Sequence, residues 1–354
     1  MQKRRVAVAM SGGVDSSVAA LRLVEQGEDV FGVMLRLWSA GTELDNRCCS
    51  PRDVANARSI AAELDIPFYV LDVKDTFRQQ VVNAFIDGYA KGITPNPCIA
   101  CNRHIRWGWL FEHVMALGAT HMATGHYARI RKNNDHFQLL RGSDQSKDQS
   151  YVLHVLSQDQ LSQAVFPIGD LQKTEVRALA EKHEMVVADR ADSQDLCFLG
   201  SLDYREFLQQ EEVILMQPGP IVDTSGTEIG RHKGLAGYTI GQRKGIGISA
   251  EQPYYVLGKN VAQNSLIVGH HDELGRSVFK VGNVNWIDQT FPTHIDQIQV
   301  QVRYKAKPVE AAVKHISSSE YQVRLSEPLA DVTPGQWAVF YTDEICLGGG
   351  MILP

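Results

Sequence analysis

The chain has 354 residues, 44% hydrophobic and 21% charged, the make-up of a globular protein of two or three domains at roughly 100–200 residues each. Its formal charge of −6 argues against bulk attraction to nucleic acid and leaves that task to local basic surfaces. No run approaches the ~18 apolar residues of a membrane span, the apolar stretch behind the basic N-terminus is too short for a secretory leader, and six cysteines in this length make no disulfide scaffold, so a cytoplasmic protein is expected whose cysteines pack, bind metal or react.

In chain order, residues 6–10 form an apolar run ending at a glycine pair, as a buried parallel strand does. Val14, Val18 and Leu21 follow at helical spacing. Residues 30–37 read as the next strand. Val54, Ala57, Ala61 and Leu64 form a helical stripe, and residues 68–73 are strand again. Phe77, Val81, Ala84 and Phe85 mark another helix, residues 110–117 a further one, and 121–124 a strand. This alternation predicts a doubly wound parallel sheet, whose ligands bind at the carboxyl ends of the strands. Residues 150–211 read as mainly helical, clearest at 174–183, until Pro218-Gly219-Pro220 breaks the pattern. From 277 on, strand alternation takes over: Ile298, Val300 and Val302 point one way, and Gln299, Gln301 and Arg303 the other. Turn signals at Ser317-Ser318-Ser319, Pro334-Gly335 and Gly348-Gly349-Gly350 complete the pattern of a small β-barrel or sandwich.

The first strand runs into Ser11-Gly12-Gly13-Val14-Asp15-Ser16-Ser17 and then a helix. Glycines let backbone approach an anion, the helix start adds unpaired N–H groups, the serines donate, and Asp15 can hold Mg²⁺. The string lacks the Gly-Lys-Ser/Thr of a Walker loop and the third glycine of a dinucleotide fingerprint. It resembles the PP-loop of ATP-pyrophosphatases, which split ATP between the α- and β-phosphates and activate a carbonyl oxygen by adenylation.

Two cysteine strings narrow the substrate: Thr94-Pro95-Asn96-Pro97-Cys98-Ile99-Ala100-Cys101-Asn102, and Asp192-Ser193-Gln194-Asp195-Leu196-Cys197-Phe198. A Cys-x-x-Cys alone fits a redox pair, half a zinc site or part of an iron–sulfur site. With the phosphate loop, and with Ala123-Thr124-Gly125-His126-Tyr127, Lys147-Asp148-Gln149-Ser150-Tyr151, Leu171-Gln172-Lys173, Gly241-Gln242-Arg243-Lys244-Gly245, Thr333-Pro334-Gly335-Gln336 and Cys346-Leu347-Gly348-Gly349-Gly350, the strings resemble the tRNA-specific 2-thiouridylases nearly end to end.

The resemblance implies an enzyme that thiolates the 2-position of the wobble uridine in tRNA. It would use ATP and Mg²⁺, with sulfur arriving as a persulfide from a cysteine desulfurase or a sulfur-carrier protein. By position, Cys197 takes up the persulfide sulfur. Cys101 is the nucleophile, able to form a disulfide with Cys197 during turnover. ATP falls to Ala9, Met10, Ser11, Gly12, Gly13, Val14, Asp15 and Ser16, with Leu35 and Gly125. The target base falls to Asn96, Pro97 and Cys98, and other tRNA contacts to His126, to Lys147, Asp148 and Gln149, and to Arg303, Tyr304 and Gln336. The domains expected are a PP-loop catalytic domain (1–204), a small central domain touching tRNA (205–275) and a tRNA-binding C-terminal β-barrel (276–354).

One position departs from many relatives, which carry Asp where this chain has Cys98. The change removes a carboxylate acid/base and sets out three thiols, Cys98, Cys101 and Cys197, that could hold a [4Fe-4S] cluster as sulfur carrier. That variant stays open, as do an amidating PP-loop enzyme and a non-enzymatic, tRNA-binding redox or iron–sulfur protein. Residues 229–250 contain no acid but Arg231, Lys233, Arg243 and Lys244, either a solvated basic face or a phosphate-contacting loop. Cys48, Cys49 and Cys346 read as idle thiols, Trp107 and Trp109 as core, His104 and His113 as surface or helix packing, and Glu211-Glu212 as a solvated helix end.

Overall fold

The structure is a computed structural model that describes residues 3–40, 50–191, 196–317 and 319–354. Cys48, Cys49, Ser318 and the Asp192-Ser193-Gln194-Asp195 string lie outside the described residues.

Four parallel strands open the chain: β1 (Arg5–Ala9), β2 (Asp29–Arg36), β3 (Phe68–Asp72) and β4 (His121–Thr124). A hairpin of β5 (Ala128–Asn133) and β6 (His136–Arg141) then leaves the sheet before β7 (Ala164–Val165) rejoins it. The spatial order is β3-β2-β1-β4-β7, all parallel. Both faces are covered, which is why β1 reads as an unbroken apolar run. Val6 and Val8 pack into one core with α1 (Val14–Glu25), while Ala7 enters another with Phe31, Trp107 and Tyr151. The strand order reverses between β1 and β4, so the crevice beyond their carboxyl ends is where such a sheet receives a ligand.

The helix expected at 110–117 begins much earlier. The chain is helical from Pro97 to Ala116, with a wide i→i+5 pitch over Cys101–Leu110. Asn96 supplies the start: its Oδ1 accepts from the amides of Cys98 (3.1 Å) and Ile99 (3.3 Å), with Pro97 at the first helical position.

A central four-stranded sheet holds β8 (Gly219–Val222), β9 (Glu228–His232), β10 (Tyr255–Asn260) and β11 (Ser265–Gly269) in the order β10-β11-β8-β9. β12 (Arg276–Trp286), β13 (His294–Gln301), β14 (Val309–Ser317), β15 (Glu320–Leu329), β16 (Trp337–Thr342) and β17 (Ile345–Ile352) follow in the order β12-β15-β14-β13-β16-β17. β12 also pairs with β17, so the six strands close into a barrel around Phe279, Trp286, Val300, Val323 and Phe340. β17 pairs in addition with β6, Ile345 opposite Leu140 and Cys346 opposite Leu139, so the hairpin from the first half of the chain extends the barrel sheet.

Three local expectations change. Gly348-Gly349-Gly350 is no turn but lies inside β17. The glycines are required because neighbouring backbone presses close: a Cβ on Gly349 would stand 2.8 Å from the Ala338 carbonyl oxygen and 2.9 Å from the His154 ring. Gln301, expected to face outward with Gln299, is buried; its amide donates to the carbonyls of Arg303 and Tyr304 and accepts from Arg141. Glu211 is half-buried and binds Arg78 through both oxygens, at 3.0 and 2.8 Å.

Candidate active site at the switch point

The loop from β1 to α1 is held from several sides. Gly12 has φ +68°, and a Cβ there would stand 2.5 Å from the Asp53 carbonyl oxygen. Asp53 is buried in the capping box that Ser50 makes at the start of α2 (Pro51–Glu63), and it pairs with Arg190, whose guanidinium also donates to the Gly12 carbonyl at 2.7 Å. Ser11 N–H donates to Ser16 Oγ (3.1 Å), and the hydroxyls of Ser16 and Ser17 donate to the Gly13 carbonyl. The first turn of α1 therefore points its amides into the crevice, an anion cradle. Gly125, just past β4, completes it: a Cβ there would meet Asp15 and Ser16 backbone at 2.7 Å.

Asp15 is not an isolated carboxylate. Lys173 Nζ donates to its two oxygens at 2.7 and 2.9 Å, and Tyr127 OH donates at 2.8 Å. Lys173 is itself buried, its backbone amide bound to Asp144.

Two cavities meet at the loop. The smaller, of about 160 Å³, has an apolar wall of Val33, Met34, Leu35, Leu37 and Leu110 and a polar wall of Ser11, Asp15 and Ser16, with Ala9, Gly125 and Cys101 also on it. The larger cleft, of about 620 Å³, holds Asn96, Cys98, Asn102, Lys147, Lys173, Arg190, Leu196, Tyr304 and Lys305. Ser11, Asp15, Arg106, His126 and Gln149 line both. The wide helical pitch lets Cys101 and Arg106, five apart, share the smaller cavity, while Cys98 and Asn102 face the larger.

His126 is buried. Arg106 Nη1 lies 3.2 Å from its Nε2 and Thr124 Oγ1 lies 2.7 Å from its Nδ1. A guanidinium only donates, so Nε2 accepts and Nδ1 carries the proton toward Thr124. Burial, with the Arg106 charge adding to it, pushes the imidazole down to about 3, so His126 is neutral.

The sequence-expected residues divide. Ala9, Met10, Ser11, Asp15, Ser16, Leu35, Gly125 and Cys101 gather at the smaller cavity, Gly13, Val14, Asn96, Cys98 and Lys147 at the larger, with His126 and Gln149 between. Pro97 is buried as the first helical residue. Leu196 reaches the larger cleft, while Cys197, partly buried, packs against the aromatic core beside Phe198. The expected RNA contacts that line neither cavity, Asp148, Arg303 and Gln336, are engaged within the protein. Asp148 binds Arg141, Gly142 N–H and Ser150. Arg303 donates to the Ile240 carbonyl and Thr333. Gln336 donates to the Thr94 carbonyl at 2.8 Å and so pins the loop before Asn96 to the barrel. Cys346 is buried, and burial pushes its thiol up to about 12. The sequence reading gave no role to Arg106, Arg190, Tyr127 or Lys173; the last two stood in the family strings, which was the signal available.

Mg²⁺ fits the loop in one way. Both lone pairs of Asp15 Oδ1 are taken by Lys173 and Tyr127, leaving Oδ2 one acceptor position, enough for an ion that arrives on the triphosphate and not for a protein-only cage. Of the three thiols considered for a [4Fe-4S] cluster, Cys101 lines the smaller cavity and Cys98 the larger, and among the described residues no group of three His, Cys, Asp or Glu side chains is placed to hold a metal ion. Among the described residues no helix is long and apolar enough to cross a membrane.

A parallel sheet carrying this loop at its switch point, with an apolar slot, a phosphate cradle and a cysteine in one cavity, defines a PP-loop enzyme that uses ATP. Comparison narrows the class. Three family models match in succession, the tRNA methyl transferase HUP domain over residues 4–201, the tRNA methyl transferase PRC-barrel domain over 205–270 and the aminomethyltransferase beta-barrel domain over 276–352. The tRNA-specific 2-thiouridylase MnmA of Natranaerobius thermophilus is 44% identical, covering 100% of this chain and 98% of its own. That of Chloroflexus aurantiacus is 45% identical over 98% of each. The chain belongs to the tRNA-specific 2-thiouridylase family.

Proposed function

We propose that this chain replaces the 2-oxygen of a tRNA wobble uridine with sulfur at the expense of ATP, using Cys101 and Cys197 for the sulfur chemistry. The observation that carries the reading is the wall shared by the two cavities. One is shaped for adenosine and phosphate and bears Cys101. It opens through Arg106 and His126 into a cleft wide enough for a splayed base, lined by Asn96, Cys98, the Tyr304 ring and the basic Lys147 and Lys305.

In this reading the chain works as three parts, the catalytic domain (1–204), a central domain (205–275) and the barrel (276–354), the last two gripping tRNA. The uracil 2-oxygen attacks the α-phosphorus, and the bond to pyrophosphate breaks with its electron pair leaving on pyrophosphate. Mg²⁺ carried on the triphosphate would neutralise that leaving group. A cysteine desulfurase or carrier protein loads Cys197 with a persulfide. The terminal sulfur attacks C2 and AMP departs with the old oxygen. The Cys101 thiolate then attacks Cys197 Sγ, which leaves the sulfur on C2 and forms a Cys101–Cys197 disulfide that an external dithiol reduces. His126, held neutral, acts here as a hydrogen-bonding wall rather than a base.

The test is nucleoside mass spectrometry on unmodified tRNA incubated with the protein, Mg-ATP and a persulfide-generating desulfurase. ATP-dependent 2-thiouridine is expected, with Cys197→Ser abolishing it while leaving tRNA-dependent pyrophosphate release in place. Full activity in Cys197→Ser sinks the sulfur route, and no 2-thiouridine from the folded, ATP-binding chain sinks the whole reading.

A further inference from the structure

Arg106 stands where the two halves of the reaction meet. The smaller cavity joins an apolar wall to the phosphate cradle, and in the reading above the larger cleft takes the base. The first bond made joins the base's 2-oxygen to the α-phosphorus, so that phosphorus has to lie at the wall common to both. Of the described residues on that wall, Ser11 is bonded to Ser16, the Asp15 carboxylate is tied to Lys173, and the Gln149 side-chain oxygen accepts from the Tyr127 amide. His126 accepts through Nε2 and is uncharged, which leaves Arg106 as the cation of the shared wall.

Its position is set from behind. Arg106 donates to His126, and His126 donates to Thr124, the last residue of β4, so the guanidinium is braced through two hydrogen bonds against the sheet. A planar fork so held suits two oxygens of one phosphate. Electrostatic groups fixed in advance where charge develops contribute more than those that must reorganise.

We propose that Arg106 is a catalytic residue of the adenylation step, its guanidinium gripping the non-bridging oxygens of the α-phosphate from the attack of uracil O2 until AMP departs. As the O2–phosphorus bond forms, the phosphorus–oxygen bond to pyrophosphate breaks. Pyrophosphate takes that electron pair and, through water, the proton released from uracil N3. Arg106 stays charged throughout and later steadies AMP as it leaves C2 with the oxygen. This assignment rests on the ATP-dependent thiolation reading above.

Exchange of labelled pyrophosphate into ATP, with unmodified tRNA and Mg²⁺ and no sulfur donor, isolates adenylation from sulfur transfer. Arg106→Gln is expected to lower exchange about 10²–10³-fold, the loss typical for removing one fixed donor to a developing oxyanion. Arg106→Lys keeps the charge but not the fork and should lose roughly tenfold. Affinities for ATP and tRNA should stay within about threefold in both, as expected when an interaction is made chiefly in the transition state. Exchange in Arg106→Gln close to that of the unsubstituted chain, or a loss confined to tRNA affinity, overturns the assignment. If Arg106→Gln melts early, Arg106→Lys decides, undiminished exchange overturning it. An unsubstituted chain that gives neither exchange nor 2-thiouridine rejects the thiolation reading, and the assignment with it.

Discussion

Lys173 Nζ lies 2.7 and 2.9 Å from the two carboxylate oxygens of Asp15, a residue 158 positions earlier. The pair joins the start of the Lys173–Lys182 helix to the first turn of α1, and both residues line the larger cleft. Its carboxylate is also bonded by Tyr127, so the loop's acid is oriented by two donors before any nucleotide enters. Lys173→Met should leave the fold intact and lower kcat/KM for ATP at least about tenfold, as loss of a charge-assisted contact does. Pyrophosphate release at varied ATP checks this; an unchanged value makes the pair purely structural.

Gly12 and Gly226 separate strain from collision. Both have positive φ, +68° and +87°, but only Gly12 has backbone in the way, the Asp53 carbonyl oxygen 2.5 Å from a new Cβ. Gly226→Ala is expected to cost about 1 kcal/mol. Gly12→Ala should cost several-fold more and also lose ATP binding, because the loop has to shift away from α2. Thermal unfolding and nucleotide titration of the two variants check it; equal effects would mean the contact with Asp53 is soft.

The bond from Gln336 to the Thr94 carbonyl, with Thr94 N–H returning to Pro334 at 2.9 Å, fastens the Asn96-Pro97-Cys98 segment to the barrel. Gln336→Ala is expected to cost about 1 kcal/mol of stability. 2-Thiouridine formation should fall several-fold with ATP affinity unchanged. A fall in ATP affinity instead would place the effect on the wrong cavity.

Two buried imidazoles make stability depend on acid. Burial pushes both His126 and His154 down to about 3. In the unfolded chain each titrates near its ordinary value, so between about 6.5 and 3 the unfolded state binds the extra protons. The contribution is therefore complete above that window and lost as pH falls through it, by about 1.4 kcal/mol per pH unit for each group once well below 6.5. His154→Leu should roughly halve the slope of unfolding free energy against pH between 6 and 4.5 that these two groups cause, measured by urea denaturation. An unaltered slope would assign the acid sensitivity to other groups.

What could be read from the sequence was what is local along it. The run from Val6 into Ser11-Gly12-Gly13 announces a buried strand and a tight turn into a helix within a dozen residues, and the structure places strand, turn and helix there, beside a cavity. Asn96-Pro97 signals a helix start, yet the extent of that helix was missed, because polar Asn102, Arg103 and His104 obscure its apolar stripe and its pitch departs from the usual 3.6. Lys173 and Tyr127 come to Asp15 from 158 and 112 residues away, and no spacing rule spans such gaps. Arg106 escaped for the same reason: its meaning depends on a wall assembled from the ends of β1 and β4. The triple glycine misled because small residues serve turns and crowded strands alike; only the press of Ala338 and His154 against β17 tells which.

The pairing of β6 with β17 makes the last strand of the chain an architectural partner of residues that fold in its first half. A ribosome releasing the N-terminal half would deliver an exposed sheet edge at Leu139 and Leu140 that waits for some two hundred further residues before it is covered. A nonsense codon late in the gene should therefore yield insoluble protein rather than a catalytic fragment lacking only the barrel, and a tag fused behind β17 sits next to the strand that pairs with the β5–β6 hairpin.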